Sequence, residues 1–391
     1  MYLRSFFRPA RWAAFAASAG LSVSVFAAEL VLVANDNNVV TENGVQVVVK
    51  NPAPDTFAVI DLAGPEPRLV AEIEGVPASV IGPPVSIAVT PNGQIALVTA
   101  TNKLDPENPT RQVADNRMTV VDLTSMPPRV IATLETGRMP SGVSINPAGT
   151  LALVGNFADG TVSIFAIEGK TVTPAGNLRI AGAEAGVRFP MFLPDGKHAL
   201  LTRDSDHTLT LLKIDGRSVT LAGRDIRPGF KPYAADVKRD GSIAVVGNVG
   251  FLTGDTDTVS VIDLRAQPPR AVDSISVGQT PETLRLSPDG TLCAVVLLNG
   301  STKPKDSPFY STTGKLALYR VEGTKLVFAD SAPIGAWPQG TVISSDNKTI
   351  LVTSMAERAV HVFRWDGTRL VDTKKPIKMK GGPTAMTAVP R

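Results

Sequence analysis

Pro140-Ser141-Gly142-Val143-Ser144-Ile145-Asn146-Pro147-Ala148-Gly149-Thr150-Leu151-Ala152-Leu153-Val154-Gly155-Asn156 is the stretch that decides the fold. A proline opens a short alternating strand, Pro147-Ala148-Gly149 turns the chain, and Leu151 to Val154 returns without polar alternation. A strand covered on both faces reads in that way. Asn156 to Gly160 makes the next turn, Thr161 to Ile167 is a third strand and Val172-Thr173-Pro174-Ala175 begins a fourth. Near copies of the opening lie on both sides: Gly82-Pro83-Pro84 with Thr90-Pro91-Asn92-Gly93, then Phe192-Leu193-Pro194-Asp195-Gly196. Lys231-Pro232 with Arg239-Asp240-Gly241, Thr280-Pro281 with Ser287-Pro288-Asp289-Gly290, and Trp337-Pro338 with Ser345-Asp346-Asn347 follow. Four strands repeating every roughly 45 to 57 residues predict an all-β chain folded as a β-propeller.

First strands near Pro84, Pro140, Val187, Pro232, Pro281 and Pro338 make six full units. A seventh begins at Gly382-Pro383-Thr384 and stops after one strand, while its missing partners stand at the other end, in Leu30 to Asn35 and Phe57 to Leu62. The expectation is a seven-bladed propeller over residues 28–391, its C-terminal strand closing the ring against the N-terminal blade and leaving no exposed sheet edge.

Residues 1–27 read separately. Arg4, Arg8 and Arg11 precede the small, apolar Trp12 to Val25 run, and Val25-Phe26-Ala27 fits a cleavage site, so the segment reads as a secretory signal and the protein as periplasmic or secreted. Removing it takes three of the 39 basic residues and no acid, leaving 36 against 36. The pI of about 8.9 therefore does not argue for a nucleic-acid or membrane partner. Cys293 stands alone in the apolar run Leu292 to Val296 and reads as a core residue.

Repeats such as Ala152-Leu153-Val154-Gly155-Asn156 with Gly160-Thr161-Val162-Ser163-Ile164, and Ala244 to Asn248 with Thr258 to Leu264, resemble the YVTN-type seven-bladed propellers. That superfamily takes in periplasmic and surface-layer propellers, the lactonase-like family and the heavy chains of quinoprotein amine dehydrogenases. Asn156-Phe157-Ala158-Asp159-Gly160-Thr161-Val162-Ser163-Ile164-Phe165 is similar to the lactonase-like Asn-Tyr-x-x-Gly-Ser-Val-Ser-x-Phe core. The same family places a His-x-His in the next blade, where this chain has Gly186-Val187-Arg188. The dehydrogenase likeness would imply a small disulfide-rich partner chain carrying the cofactor.

Aligning the units puts one residue per blade at the rim of the central channel: Val85, Ser141, Arg188, Tyr233, Glu282, Gln339 and Thr384, with Arg138, Lys231, Trp337 and Arg203 nearby. Convergent polar groups beside an aromatic ring suit a small ligand. Arg188 and Arg203 can grip an anion, Glu282 can serve as acid or base, and Trp337 can stack on a ring or sugar. Four connections between second and third strands, Asn35 to Thr56, Thr101 to Asn116, Asn248 to Asp257 and Asn299 to Gly314, are long and without strand pattern, so they are expected to wall the same face. Asp36-Asn37-Asn38, Asp204-Ser205-Asp206 and Asp255-Thr256-Asp257 carry the oxygen ligands calcium prefers, although Asp-rich turns are commoner than calcium sites. His198, His207 and His361, placed in or beside outer strands, show no metal-ligand spacing, and no nucleophile elbow, haem attachment or phosphate loop occurs. The expected protein is a monomer without cofactor or metal that binds an anionic small molecule or a protein partner at the channel mouth, making no integral membrane contact after signal cleavage. The alternative is a lactone-opening or isomerising enzyme using the Arg188/Glu282 face.

Overall fold

Apolar second strands force the architecture, because a strand such as Leu151–Asn156 or Leu292–Leu297 is buried along its whole length and needs a sheet against each face. Seven sheets supply those faces to one another. The structure, a computed structural model, describes Met1 and residues 29–390 and arranges residues 29–390 as seven antiparallel blades, six with their strands in chain order and the seventh with the C-terminal strand placed before three N-terminal ones. In the sixth blade the outermost position is shared by Leu370–Asp372 and Ile377–Lys378. Apart from Met1, the 1–27 segment lies outside the described residues, among which no helix is long and apolar enough to cross a membrane.

Closure is as the repeat predicts. Gly382–Ala388 pairs with Leu30–Asp36, which pairs with Thr56–Asp61 and through it Arg68–Glu74. Seven apolar clusters fill the seven gaps between blades, the one joining blade seven to blade one built from Leu32, Ala34 and Ala385 against Ile87 and Ala96. Cys293 is wholly buried in one of them.

Turn chemistry accounts for the Pro-Asp-Gly signature. Gly93, Gly149, Gly196, Gly241 and Gly290 sit at φ of 65 to 71°, and in the sixth blade Asn347 takes the left-handed position at 61°. Glycine is also required at Gly155, where a Cβ would lie 2.1 Å from the carbonyl oxygen of Arg188 in the next blade. Gly155→Ala is therefore expected to cost about 1–3 kcal/mol, as overpacking does. A chemical denaturation midpoint equal to wild type would show that the two blades do not meet there.

Two of the four long connections differ from expectation. Asn35 to Thr56 carries a hairpin of its own, Val39–Glu42 against Val45–Val48, and Thr101 to Asn116 is largely a prolongation of Ile95–Leu104 and Gln112–Asp122. Both hold backbone hydrogen bonds that loops would leave to solvent. His198 begins an inner, second strand rather than lying at an outer one.

Candidate functional site

The first strands of blades two to seven carry a β-bulge at a fixed offset from the opening residue, whereas Ile87–Val89 of the first blade pairs without one. Pro140 faces Asn156, yet Val143 faces Val154, so the partner strand is one residue short. Equivalent shifts follow Val187, Pro232, Pro281 and Pro338. A bulge re-aims a side chain, and here the bulged residues include Ser141, Arg188, Tyr233, Glu282 and Gln339. The residue before each of these strands adopts a left-handed conformation, including Met139, Lys231, Thr280 and Trp337 at φ of 52 to 56°. Such backbone is strained for a bulky side chain and persists only where its surroundings dictate it.

Consecutive blades thus bring Arg188, Tyr233, Glu282 and Gln339 together at the upper end of the channel, close enough to act on one another's charge. The Arg188 guanidinium donates to Asp204 Oδ2 through Nε at 2.8 Å and to Ser141 Oγ through Nη1 at 3.3 Å. It lies 3.7 Å from the Phe157 ring centroid and 5.5 Å from that of Tyr233. Its ion-pair partner is therefore Asp204, and Glu282 is left without a salt bridge. Burial pushes the Glu282 carboxyl up to about 8, against the weaker pull of the Gln339 amide and the Arg188 charge. Glu282 is thus an uncharged acid at neutral pH. Burial, reinforced by the Glu282 charge, raises the Tyr233 hydroxyl well above its ordinary range. Gln339, 1% exposed, donates from Nε2 to the Pro338 carbonyl while its Oε1 has no partner. An unpaired buried acceptor is uncommon and asks for a donor.

This cluster has a roof that no repeat foretells. Residues 76–85, linking the seventh blade to the first, cross the channel end. The Gly82 N–H reaches the Tyr233 hydroxyl, and a Cβ on Gly82 would stand 2.9 Å from Ser141 Oγ and 3.8 Å from Arg188 Nη1. Val80 and Ile81 pack with Val39, Leu298, Trp337 and Met355. Two carboxylates tether the segment: Asp36 Oδ2 accepts from the Val80 N–H at 2.9 Å and Asp55 Oδ2 from the Ala78 N–H at 3.0 Å. Burial first, then the Asp55 charge, push Asp36 up to about 7.

The other expected residues lie elsewhere. Trp337 is 6% exposed beneath the roof, in its apolar cluster. Arg203 clasps strands of its own blade, donating to Thr210 Oγ1 and Asp225 Oδ2 and pairing with Asp206. Asn156 and Asn248 perform the same clasp with Ser163 and Ser260. Arg138 is exposed, its backbone N–H bonded to Asp159, and Lys231 Nζ sits 5.6 Å from the Phe251 centroid. Thr384 is buried, its hydroxyl donated to the Ala34 carbonyl, and Val85 is buried in the apolar cluster between the third and fourth blades. Among the described residues no group of three or more His, Cys, Asp or Glu side chains could hold a metal.

Missed at the sequence level were Asp36 and Asp55 as tethers, Asp204 and Phe157 as the partners of Arg188, and the roof itself. The one signal was the run Val76-Pro77-Ala78-Ser79-Val80-Ile81-Gly82-Pro83-Pro84, apolar and proline-rich where a polar connection is the rule.

No protein-family model matches the chain, and no curated protein matches it in sequence. Solved structures do. A candidate 6-phosphogluconolactonase from Bacteroides fragilis is 15% identical with a TM-score of 0.72, covering 94% of this chain and 99% of its own. The periplasmic gluconolactonase of Pseudomonas aeruginosa is 14% identical at 0.67, covering 93% and 99%. Hydrazine synthase of Kuenenia stuttgartiensis is 16% identical at 0.60, covering 80% and 92%. At such identities the likeness is one of fold.

Proposed function

We propose that this propeller is an exported binding protein whose roofed cluster takes a small hydroxylated carboxylate. The observation that carries the reading is the convergence of Arg188, Tyr233, Glu282 and Gln339, turned inward by bulges in four consecutive blades. Arg188 supplies a fixed cation for a carboxylate. Neutral Glu282 offers an acid proton, and the unpaired Gln339 Oε1 accepts from a ligand hydroxyl. Entry requires the roof to move aside. The gluconolactonase names of the structural neighbours select gluconate and 6-phosphogluconate as first probes. Export rests on the basic and apolar character of residues 1–27, and N-terminal sequencing of the exported chain checks it.

A ligand at a hundred times its Kd adds about 2.7 kcal/mol to stability. Gluconate or 6-phosphogluconate is expected to raise the Tm of wild type and to lose that effect in Arg188→Ala and Glu282→Leu. Because Arg188→Ala strands Asp204, its own Tm will fall, so the ligand-induced shift is the quantity to compare. No shift with wild type, or one that survives both variants, would remove the small-molecule reading in favour of a protein partner.

One observation favours a second reading. An acid held near pH 8 beside a guanidinium can protonate a leaving alkoxide while the cation stabilises negative charge at the acyl oxygen. On that reading glucono-1,5-lactone hydrolysis exceeds its spontaneous rate and returns to it in Glu282→Gln.

A further inference from the structure

Three of the four exposed phenylalanines among the described residues gather with Leu252 on one sector of the upper face: Phe230, Phe251 and Phe309. The Phe230 and Phe251 centroids are 5.6 Å apart, both rings meet His207 edge-on, and Phe309 packs against Gly254. Large apolar side chains grouped in solvent call for an occupant. The connections bearing Phe251 and Phe309 are two of the four long ones.

Beside these rings opens a cleft of about 430 Å³, with Phe230 and Phe251 on one side and Thr253, Asp255, Asp257 and Asn248 among its other walls. No lysine or arginine is among its lining residues. Asp257 is fixed by the Thr280 N–H at 2.9 Å, and Gly250, at φ 59°, admits it because a Cβ there would lie 1.9 Å from Asp257 Oδ1. Asn248, 1% exposed, donates from Nδ2 to Thr258 and Ser260 and leaves Oδ1 without a partner. Asn156 has an unpaired Oδ1 in the same clasp, so the clasp alone explains the orphan; what Asn248 adds is its place on the wall of this cleft.

We propose that the cleft binds an alkylammonium group, with its nitrogen toward Asp255, Asp257 and Asn248 Oδ1 and its carbon chain on the rings of Phe230 and Phe251. Two carboxylates without a lining cation set up a negative potential, and aromatic faces add their own attraction for a cation. Burial and the Asp255 charge both raise Asp257, a like-charge repulsion that a bound cation relieves and a neutral sugar does not. The Lys231 ammonium already lies within cation distance of Phe251. The site is separate from the roofed cluster and stands independently of the reading given for it.

Isothermal titration of the full chain with putrescine, with a peptide bearing one lysine, and with calcium chloride tests the proposal. Saturable binding of putrescine is expected, weakened about tenfold or more by Phe251→Ala and by Asp257→Asn, the loss of one cation–π contact or one charge. Phe251 is exposed, so its truncation leaves the fold intact. Binding of the peptide but not of putrescine assigns the site to lysine side chains of a partner and upholds the ammonium chemistry. Absence of heat with both amines overturns it, as does calcium binding unaffected by Phe251→Ala.

Discussion

A chain ending at Gly381 is expected not to fold cooperatively. Gly382–Ala388 forms the innermost strand of the seventh blade, with pairs running from Val31 opposite Ala388 to Asp36 opposite Gly382. Its removal takes Met386 from the cluster between the sixth and seventh blades and Ala385 from that between the seventh and first, so both seams of one blade lose a wall. Each large buried side chain is worth about 1.5–3 kcal/mol, and the ladder goes with it, against a total stability of roughly 5–15 kcal/mol. The strand left behind, Leu30–Asp36, is an unprotected apolar edge and invites association with other chains. Size-exclusion chromatography and a thermal melt should report aggregates without a sharp transition. A peptide covering residues 380–391, added in trans, should restore a soluble monomer by strand addition. A truncated chain that stays monomeric and melts near the intact protein would mean that the ring does not depend on this closure.

The closure was legible because period and strand count are properties of composition along the chain, which survive the loss of any one residue. Tyr233 and Glu282 could be placed at the channel because the bulge follows the opening proline at a constant offset, so alignment of the turns aligns the side chains too. Arg203 shows what alignment alone leaves out. It stands at the turn that Asn156 and Asn248 occupy in other blades, and in all three the side chain clasps hydroxyls of the third strand. The roof escaped for the opposite reason: residues 76–85 occur once, have no counterpart in other blades, and are held by Asp36 and Asp55, which lie more than twenty residues away in sequence. Asp36-Asn37-Asn38 drew notice as an oxygen-rich turn, yet its carboxylate accepts backbone N–H groups, the Asn38 N–H at 2.6 Å as well as that of Val80.

That tether makes stability depend on pH in a direction opposite to ordinary carboxylates. Asp36 rises from 3.8 to about 7 and Glu282 from 4.5 to about 8, both chiefly through burial. The folded state therefore holds each proton more tightly than the unfolded chain. The stabilisation from this pair is fully present below about pH 4 and lost as pH climbs through 7 and 8. Surface acids work the other way: hydrogen bonds from Ser242 pull Asp240 down to about 2, so its contribution is lost only in strong acid. The Tm should thus peak in mild acid and fall toward pH 8. Asp36→Asn keeps one of the two acceptor oxygens, sets an amide NH2 against the other N–H and deletes the charge, so its Tm should start lower while the decline near pH 7 flattens. Asp36→Ala strands the Val80 and Asn38 N–H groups and should cost about 1–3 kcal/mol for each. Amide exchange localises the effect, since protection at Ala78 and Val80 should drop above pH 7 in wild type and stay level in Asp36→Asn. Parallel Tm profiles for wild type and Asp36→Asn would show that the roof is not held through this carboxyl.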